Sequence, residues 1–332
     1  MNGFVRRLTF VFLVLLYHGQ NIKAQNSLLN VKPGQYERHL IHNGRDRSYI
    51  LHIPPQYNSK DKLPLVLLFH GGGGNARQAL RAYGLVEKAD KEGFILVAPN
   101  GTGRFDGIFT WNVIFGFGYA KRNHVDDIGF VEKVIDQVEQ QLKIDSRGVF
   151  ATGISNGGFL CHFLAAHLSE KIAAIAPVAA SVGGKERVTE NFIFPPAPKK
   201  PVSVVAFNGL LDQRIPYLGG KQKKSFGVPI YVTSYKQMCS FWVKANQCDP
   251  KPQIEKTADY IKIRYQKGKE RSEVVQYLIF GHGHAWPGGK RTRLRADIPS
   301  KRVNATDIMW EFFKRHYRAE NSERQQIGRA HV

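Results

Sequence analysis

The chain has 332 residues, 42% of them hydrophobic, and 48 Lys and Arg against 27 Asp and Glu give it a formal charge of +21. This composition supplies a large apolar core and excludes a disordered chain. Three cysteines exclude a disulfide-dense miniature scaffold, and no Cys/His cluster has the spacing of a zinc site, so no metal is expected.

In chain order, Arg6 and Arg7 precede an apolar run from Leu8 to Tyr17, a polar stretch and then Ala24. Residues 1–24 therefore read as a signal peptide, with an apolar run well short of the roughly 20 residues that span a bilayer. The expected location is outside the cytoplasm, extracellular or periplasmic, with no membrane attachment after cleavage. Apolar runs then alternate with segments of helical period. The predicted strands are Tyr49 to Ile53, Leu65 to Phe69, Phe94 to Ala98, Val149 to Thr152, Ile172 to Val178, Val202 to Phe207, Tyr260 to Tyr265 and Val274 to Ile279. Helices are predicted over Ala76 to Glu92, Asp126 to Lys143 (Ile128, Val131, Ile135, Val138 and Leu142 share one face), Phe159 to Leu168, and Ala305 to Tyr317 with Asn304 as N-cap. Continuous apolar strands separated by helices imply an α/β fold with a mostly parallel sheet covered on both faces. Without a repeat or a linker, residues 25–320 form one domain, followed by an irregular tail over 321–332.

The chemistry gathers at the ends of these strands. Gly153-Ile154-Ser155-Asn156-Gly157 fits the G-x-S-x-G nucleophile elbow between a strand and a helix, where a tight turn has no room for side chains two residues either side of the serine. The helix start behind Ser155 also favours developing negative charge. Upstream, strand Leu65 to Phe69 runs into His70-Gly71-Gly72-Gly73-Gly74, a loop that offers backbone N–H groups to an oxyanion. The expected donors are the N–H groups of Asn156 and Gly72, with Gly73 as the alternative to Gly72. A phosphate-binding loop is disfavoured because no G-K-[ST] follows. A serine nucleophile needs a base and an orienting acid, in the chain order Ser, Asp, His. Asp212 follows strand Val202 to Phe207, and His284 follows strand Val274 to Ile279. His282, also flanked by glycine, competes with His284, and spacing alone does not choose between them. Asp126 and Asp127 open a predicted helix and read as structural. Trp286 and the segment Phe109, Trp111, Phe115, Phe117 and Tyr119 are candidate walls of a substrate pocket, with Trp111 and Trp286 as the named contacts.

Several stretches together carry a resemblance: the His70-Gly71 loop, Val125-Asp-Asp-Ile-Gly-Phe130, the serine elbow, Asp212 continuing into Pro216-Tyr-Leu-Gly-Gly220, Gly283-His-Ala-Trp-Pro-Gly-Gly289, and Asn304-Ala-Thr-Asp-Ile-Met-Trp-Glu-Phe-Phe313. In that order they resemble the secreted esterases that include polyhydroxybutyrate depolymerase-like, feruloyl and acetylxylan esterases, over nearly the whole chain after the leader. The resemblance implies the α/β-hydrolase fold, Ser155 as nucleophile, Asp212 as orienting acid and His284 as base. His282 stands where the family usually has a small residue. No metal or organic cofactor is implied. The expected function is a secreted serine carboxylesterase acting on feruloyl or short-acyl esters of plant cell-wall polysaccharide. The alternatives are a polyester depolymerase and, from another class, a non-catalytic binding module on the same fold. An acyltransferase or a peptidase would use the same triad.

Positive charge is concentrated late, with eleven Lys and Arg against five acids after residue 280 and with Lys290, Arg291, Arg293 and Arg295 just beyond the base loop. Such a surface attracts acidic polymers, whereas no nucleic-acid recognition motif appears. Cys239 and Cys248 are candidates for a disulfide, although the family often pairs the cysteine matching Cys248 with a later strand cysteine that is missing here. Cys161 reads as a buried free thiol. The last six residues, Ile327 to Val332, back-translate to a common sequencing-adapter read-through and are expected to be an artefact.

Overall fold

The computed structural model describes residues 31–319 except 114, 116, 117, 224–228 and 295. The expected signal peptide over 1–24, Phe117, Arg295 and the tail over 321–332 lie outside the described residues. The main sheet has ten strands: β1 (Gly34–His42), β2 (Arg45–Ile53), β3 (Leu63–Phe69), β4 (Ile95–Pro99), β5 (Ile144–Ile154), β6 (Ala174–Val178), β7 (Ser203–Gly209), β8 (Gln253–Lys256), β9 (Tyr260–Tyr265) and β10 (Val274–Ile279). Their lateral order is β1-β2-β4-β3-β5-β6-β7-β10-β9-β8. The six central strands from β4 to β10 run parallel, and antiparallel pairs close both edges.

The pleat divides each central strand between two cores. In β3, Leu65, Leu67 and Phe69 enter one apolar layer and Val66 and Leu68 the other, all of them buried. Among the described residues, six helices longer than one turn cover the two faces: α1 (Ala76–Ala82), α2 (Leu85–Glu92), α3 (Asp127–Gln141), α4 (Asn156–His167), α5 (Tyr235–Asn246) and α6 (Ala305–Lys314). Val131 and Val138 of α3, Phe163 of α4 and Trp242 of α5 fill the first layer. Leu80 of α1, Leu85 of α2, and Trp310 and Phe313 of α6 fill the second. This is the mostly parallel, two-sided α/β arrangement read from the pattern of apolar runs.

One predicted element is corrected. The single helix expected over Ala76 to Glu92 is two helices, because Gly84 takes a left-handed conformation (φ 71°) between them. That break carries the chain past Tyr83, whose ring stacks on Trp286 at 4.5 Å.

Asp126 and Asp127 have structural partners. Asp126 accepts from the Gly129 N–H at 2.9 Å as the N-cap of α3 and lies 2.9 Å from His42 Nε2. Asp127 is buried, accepts from Arg47 Nη2 at 2.7 Å and from the Asn112 N–H at 2.7 Å, and so ties β2 to the loop ahead of α3. Buried pairs of this kind cost about 3 to 5 kcal/mol when one partner is removed.

Candidate active site

The loops that leave the carboxyl ends of β3, β5, β7 and β10 meet above one edge of the sheet, where parallel α/β folds place their ligands. Ser155 joins β5 to α4 with φ 55° and ψ −120°, held by its N–H donating to the Val178 carbonyl at 2.9 Å. The turn leaves no space for a side chain at Gly157, where a Cβ would stand 2.5 Å from the carbonyl oxygens of Phe69 and His70. The strained serine is thus over-determined by packing around it, as functional turns require.

The structure separates the two histidines. His284 Nδ1 lies 2.8 Å from Asp212 Oδ2, and the Asp212 side chain is wholly buried. The other carboxylate oxygen accepts from the N–H groups of Arg214 and Ile215 at 2.8 and 2.9 Å. An ionised carboxylate only accepts, so the proton of neutral His284 resides on Nδ1 and Nε2 keeps a lone pair. His282, by contrast, is buried with both nitrogens engaged, Nε2 with the Ala285 carbonyl at 3.0 Å and Nδ1 with the Ser300 N–H at 3.2 Å. Burial draws its imidazole below the ordinary histidine range.

Two loop donors are distinguished in the same way. The Gly73 N–H donates to the Phe109 carbonyl at 2.7 Å and that of Gly74 to the Gly71 carbonyl at 2.9 Å, whereas Gly72 lines the cavity above Ser155. Gly72 therefore stands as the loop's candidate oxyanion donor beside the backbone of Asn156 at the start of α4. His70 braces this loop from beneath: its Nε2 accepts from the Gly101 N–H at 3.0 Å and its Nδ1 donates to the Gly71 carbonyl at 2.9 Å.

Burial pulls the His70 imidazole down to about 4 and that of His162 down to about 3, from an ordinary 6.5. Both rings are neutral in the fold and protonate near 6.5 once unfolded, so their stabilisation is complete above pH 6.5 and is lost as pH falls below it. At about 1.4 kcal/mol per pKa unit, His70 alone accounts for on the order of 3 kcal/mol. Asp127, whose carboxyl is pushed up by burial, acts in the opposite sense, so one ring is best isolated by substitution. The melting temperature of the wild type is expected to drop more between pH 7 and 4.5 than that of His162→Gln, which retains an acceptor for the Trp242 indole N–H now bonded to His162 Nδ1 at 3.0 Å. Equal drops would contradict this assignment.

A cavity of about 570 Å³ opens over these groups, with Ser155, His284, Gly71, Gly72, Tyr83 and Trp286 in its wall. Trp286, almost wholly buried at the edge of this cavity, stacks on Tyr83, and its Nε1 donates to Thr306 Oγ1 at 3.0 Å. Trp111, expected as a second substrate contact, is corrected. It is fully buried, its Nε1 donates to the His70 carbonyl at 2.9 Å, and its backbone exchanges hydrogen bonds of 2.7 and 3.1 Å with the Asn156 side chain. Trp111 is thus a clamp between the Ser155 turn and the His70–Gly74 loop. Phe115 likewise packs in the core, edge-on to Phe159 at 5.2 Å.

The expected Cys239–Cys248 bridge is also corrected, since both thiols are free. Cys239 points from α5 into the core, and Cys248 Sγ approaches the Ser272 carbonyl at 3.8 Å, so each sulfur serves a separate packing contact. Burial pushes the two thiols up to about 12 and about 11, which keeps them unreactive. Cys161 is buried and free.

Asp297 is a site residue that the sequence does not reveal. Its Oδ2 accepts from the backbone N–H of His284 at 2.6 Å, fixing the loop that carries the imidazole. Among the described residues, no group of three His, Cys, Asp or Glu side chains is placed to hold a metal ion, and no helix is long and apolar enough to cross a membrane.

Residues 47–189, which contain the His70–Gly74 loop and the turn at Ser155, match the family described as esterase PHB depolymerase. The chain is similar to this family over that stretch, which is less than half of its length. It is 29% identical over 191 residues to "Probable feruloyl esterase C" of Aspergillus flavus, a match covering 54% of this chain and 60% of that protein. It is 27% identical over 244 residues to feruloyl esterase B of Piromyces equi, covering 74% of this chain and 44% of that protein. The chain thus spans about half the length of these relatives. Among solved structures, an acetyl xylan esterase from Aspergillus awamori superposes with a TM-score of 0.55 at 14% identity, covering 84% of this chain and 99% of that one. At that identity the likeness speaks to the α/β-hydrolase fold.

Proposed function

We propose that this protein is a secreted serine carboxylesterase that cleaves feruloyl or short-acyl esters on plant cell-wall polysaccharide. The observation that carries the reading is the contact between His284 Nδ1 and buried Asp212, within the cavity that also exposes Ser155 and the Gly72 loop. In this mechanism the free Nε2 of His284 takes the Ser155 hydroxyl proton as Oγ attacks the ester carbonyl. The N–H groups of Gly72 and Asn156 hold the oxyanion, and protonated His284 hands its proton to the departing alcohol. A water activated by neutral His284 then releases the acid from the acyl-enzyme. Asp212 fixes the imidazole tautomer throughout.

Secretion rests on the leader over residues 1–24, and the basic surface would bring the enzyme to acidic polymers. Feruloyl preference is supported by the names of the relatives and by the stacked Tyr83–Trp286 wall, since a favourable aromatic pair contributes about 0.5 to 1.5 kcal/mol. That is enough for a modest preference over acetyl. The test compares turnover of methyl ferulate, acetylated xylan and a polyhydroxybutyrate film at matched enzyme concentration. Methyl ferulate is expected to turn over fastest; rapid film clearing with negligible release from the other two would replace this reading with a polyester depolymerase. Absence of turnover on all three would favour a binding module.

A further inference from the structure

One wall of the cavity is formed by residues 290–294 together with Ala296, Asp297 and Pro299, and its charges are arranged asymmetrically. Lys290, Arg291, Arg293 and, from the Asp212 loop, Arg214 line the cavity, against the single carboxylate of Asp297. That carboxylate is already committed to the backbone N–H of His284. The two central cations are held by backbone carbonyls, which orient a guanidinium without cancelling its charge. Arg291 Nε donates to the Ala296 carbonyl at 2.8 Å, and Arg293 Nη2 donates to the Gly73 carbonyl. Lys290 reaches Glu87 only at 4.0 Å, with both side chains exposed. The Arg293 contact has the sharpest consequence, because Gly73 adjoins Gly72, the candidate oxyanion donor. A Cβ on Gly73 would stand 3.4 Å from Arg293 Nη2, so this fixed positive charge lies within one residue of the place where the scissile carbonyl would bind.

We propose that the ester taken by this site carries a carboxylate a few bonds from the scissile carbonyl, bound by Arg293 and Arg291. The proposal rests on the ester-hydrolase reading and adds the substrate's charge to it. Guanidinium groups match carboxylates through paired N–H donors, and a cationic cavity raises the local concentration of an anionic substrate before contact. The carboxylate can belong to the acyl side, as in a half-ester of a dicarboxylic acid, or to the alcohol side, as in an acylated acidic sugar.

Two pairs of esters separate these sources. On the acyl side, 4-nitrophenyl hydrogen succinate is compared with 4-nitrophenyl butyrate; on the alcohol side, 4-acetoxybenzoate is compared with its methyl ester. Exposed ion pairs are each worth only a few-fold, so two together are expected to give about a tenfold higher kcat/KM for the anionic member of at least one pair, mostly through KM. Arg293→Gln and Arg291→Gln are each expected to bring that ratio several-fold closer to one, and so is raising the wild type from low salt to about 0.5 M, where screening shortens to a few ångströms. An anionic-to-neutral ratio at or below one in both pairs, or a ratio unmoved by both substitutions and by salt, overturns the proposal while turnover of the neutral esters keeps the hydrolase reading. Failure to turn over any of the four esters removes that reading and the proposal with it.

Discussion

Replacing Ser155 with alanine is expected to lower ester turnover by about a millionfold, the usual cost of losing the nucleophile of a serine triad. The argument is geometric. Ser155 holds its place through its main chain, by the N–H bond to Val178 and by the helix that begins at Asn156, so deleting Oγ removes the attacking atom and leaves the turn in place. Alanine meets the same backbone strain at φ 55° that serine already bears. The melting temperature is therefore expected to stay within a few degrees of wild type, while the burst of 4-nitrophenol that accompanies acylation of the wild type by 4-nitrophenyl acetate disappears. Near-normal turnover in a folded Ser155→Ala protein would falsify the proposed mechanism.

What could be read without coordinates follows from where local rules dominate. The central strands β3, β6, β7 and β10, and β5 from Gly148 onward, are buried on both faces and therefore appear as largely apolar runs. The edge strands do not. In β1, Glu37 and Arg38 sit in a strand whose residues alternate between exposed and half-buried, and all four residues of β8 are exposed, so neither carries an apolar signal. The split of the helix at Gly84 was hidden for a different reason: a single glycine within a periodic segment is tolerated as often as it breaks the helix.

The site divides along the same line. Ser155 and the Gly72 loop are legible because tight turns demand glycine at fixed spacing. Asp212 and His284 follow from chain order, but the choice of His284 over His282 needs the three-dimensional contact. Asp297 escapes notice because it acts through a backbone N–H in a loop that has no period. Trp111 misled because an aromatic beside glycines reads equally as pocket wall or as clamp, and only its two-way bonding to Asn156 decides.

The two histidines supply the second decisive experiment. His284→Ala is expected to reduce turnover on the scale of the Ser155 substitution, because among the described residues no other group bonded to Asp212 can accept the serine proton. His282→Ala is expected to weaken the enzyme by far less. Its ring bridges the Ala285 carbonyl and the Ser300 N–H, so its removal loosens the loop that presents His284 and leaves an unsatisfied buried group, a loss of about 1 to 3 kcal/mol in stability. The two substitutions thus separate by turnover: the first abolishes it in a protein that still folds, and the second lowers the melting temperature while turnover persists. Asp212→Asn links them, since an amide can donate where the carboxylate accepts and so permits the wrong imidazole tautomer, at a cost near ten-thousandfold. If His282→Ala proves inactive and His284→Ala active, the base is His282 and the Asp212–His284 contact is structural.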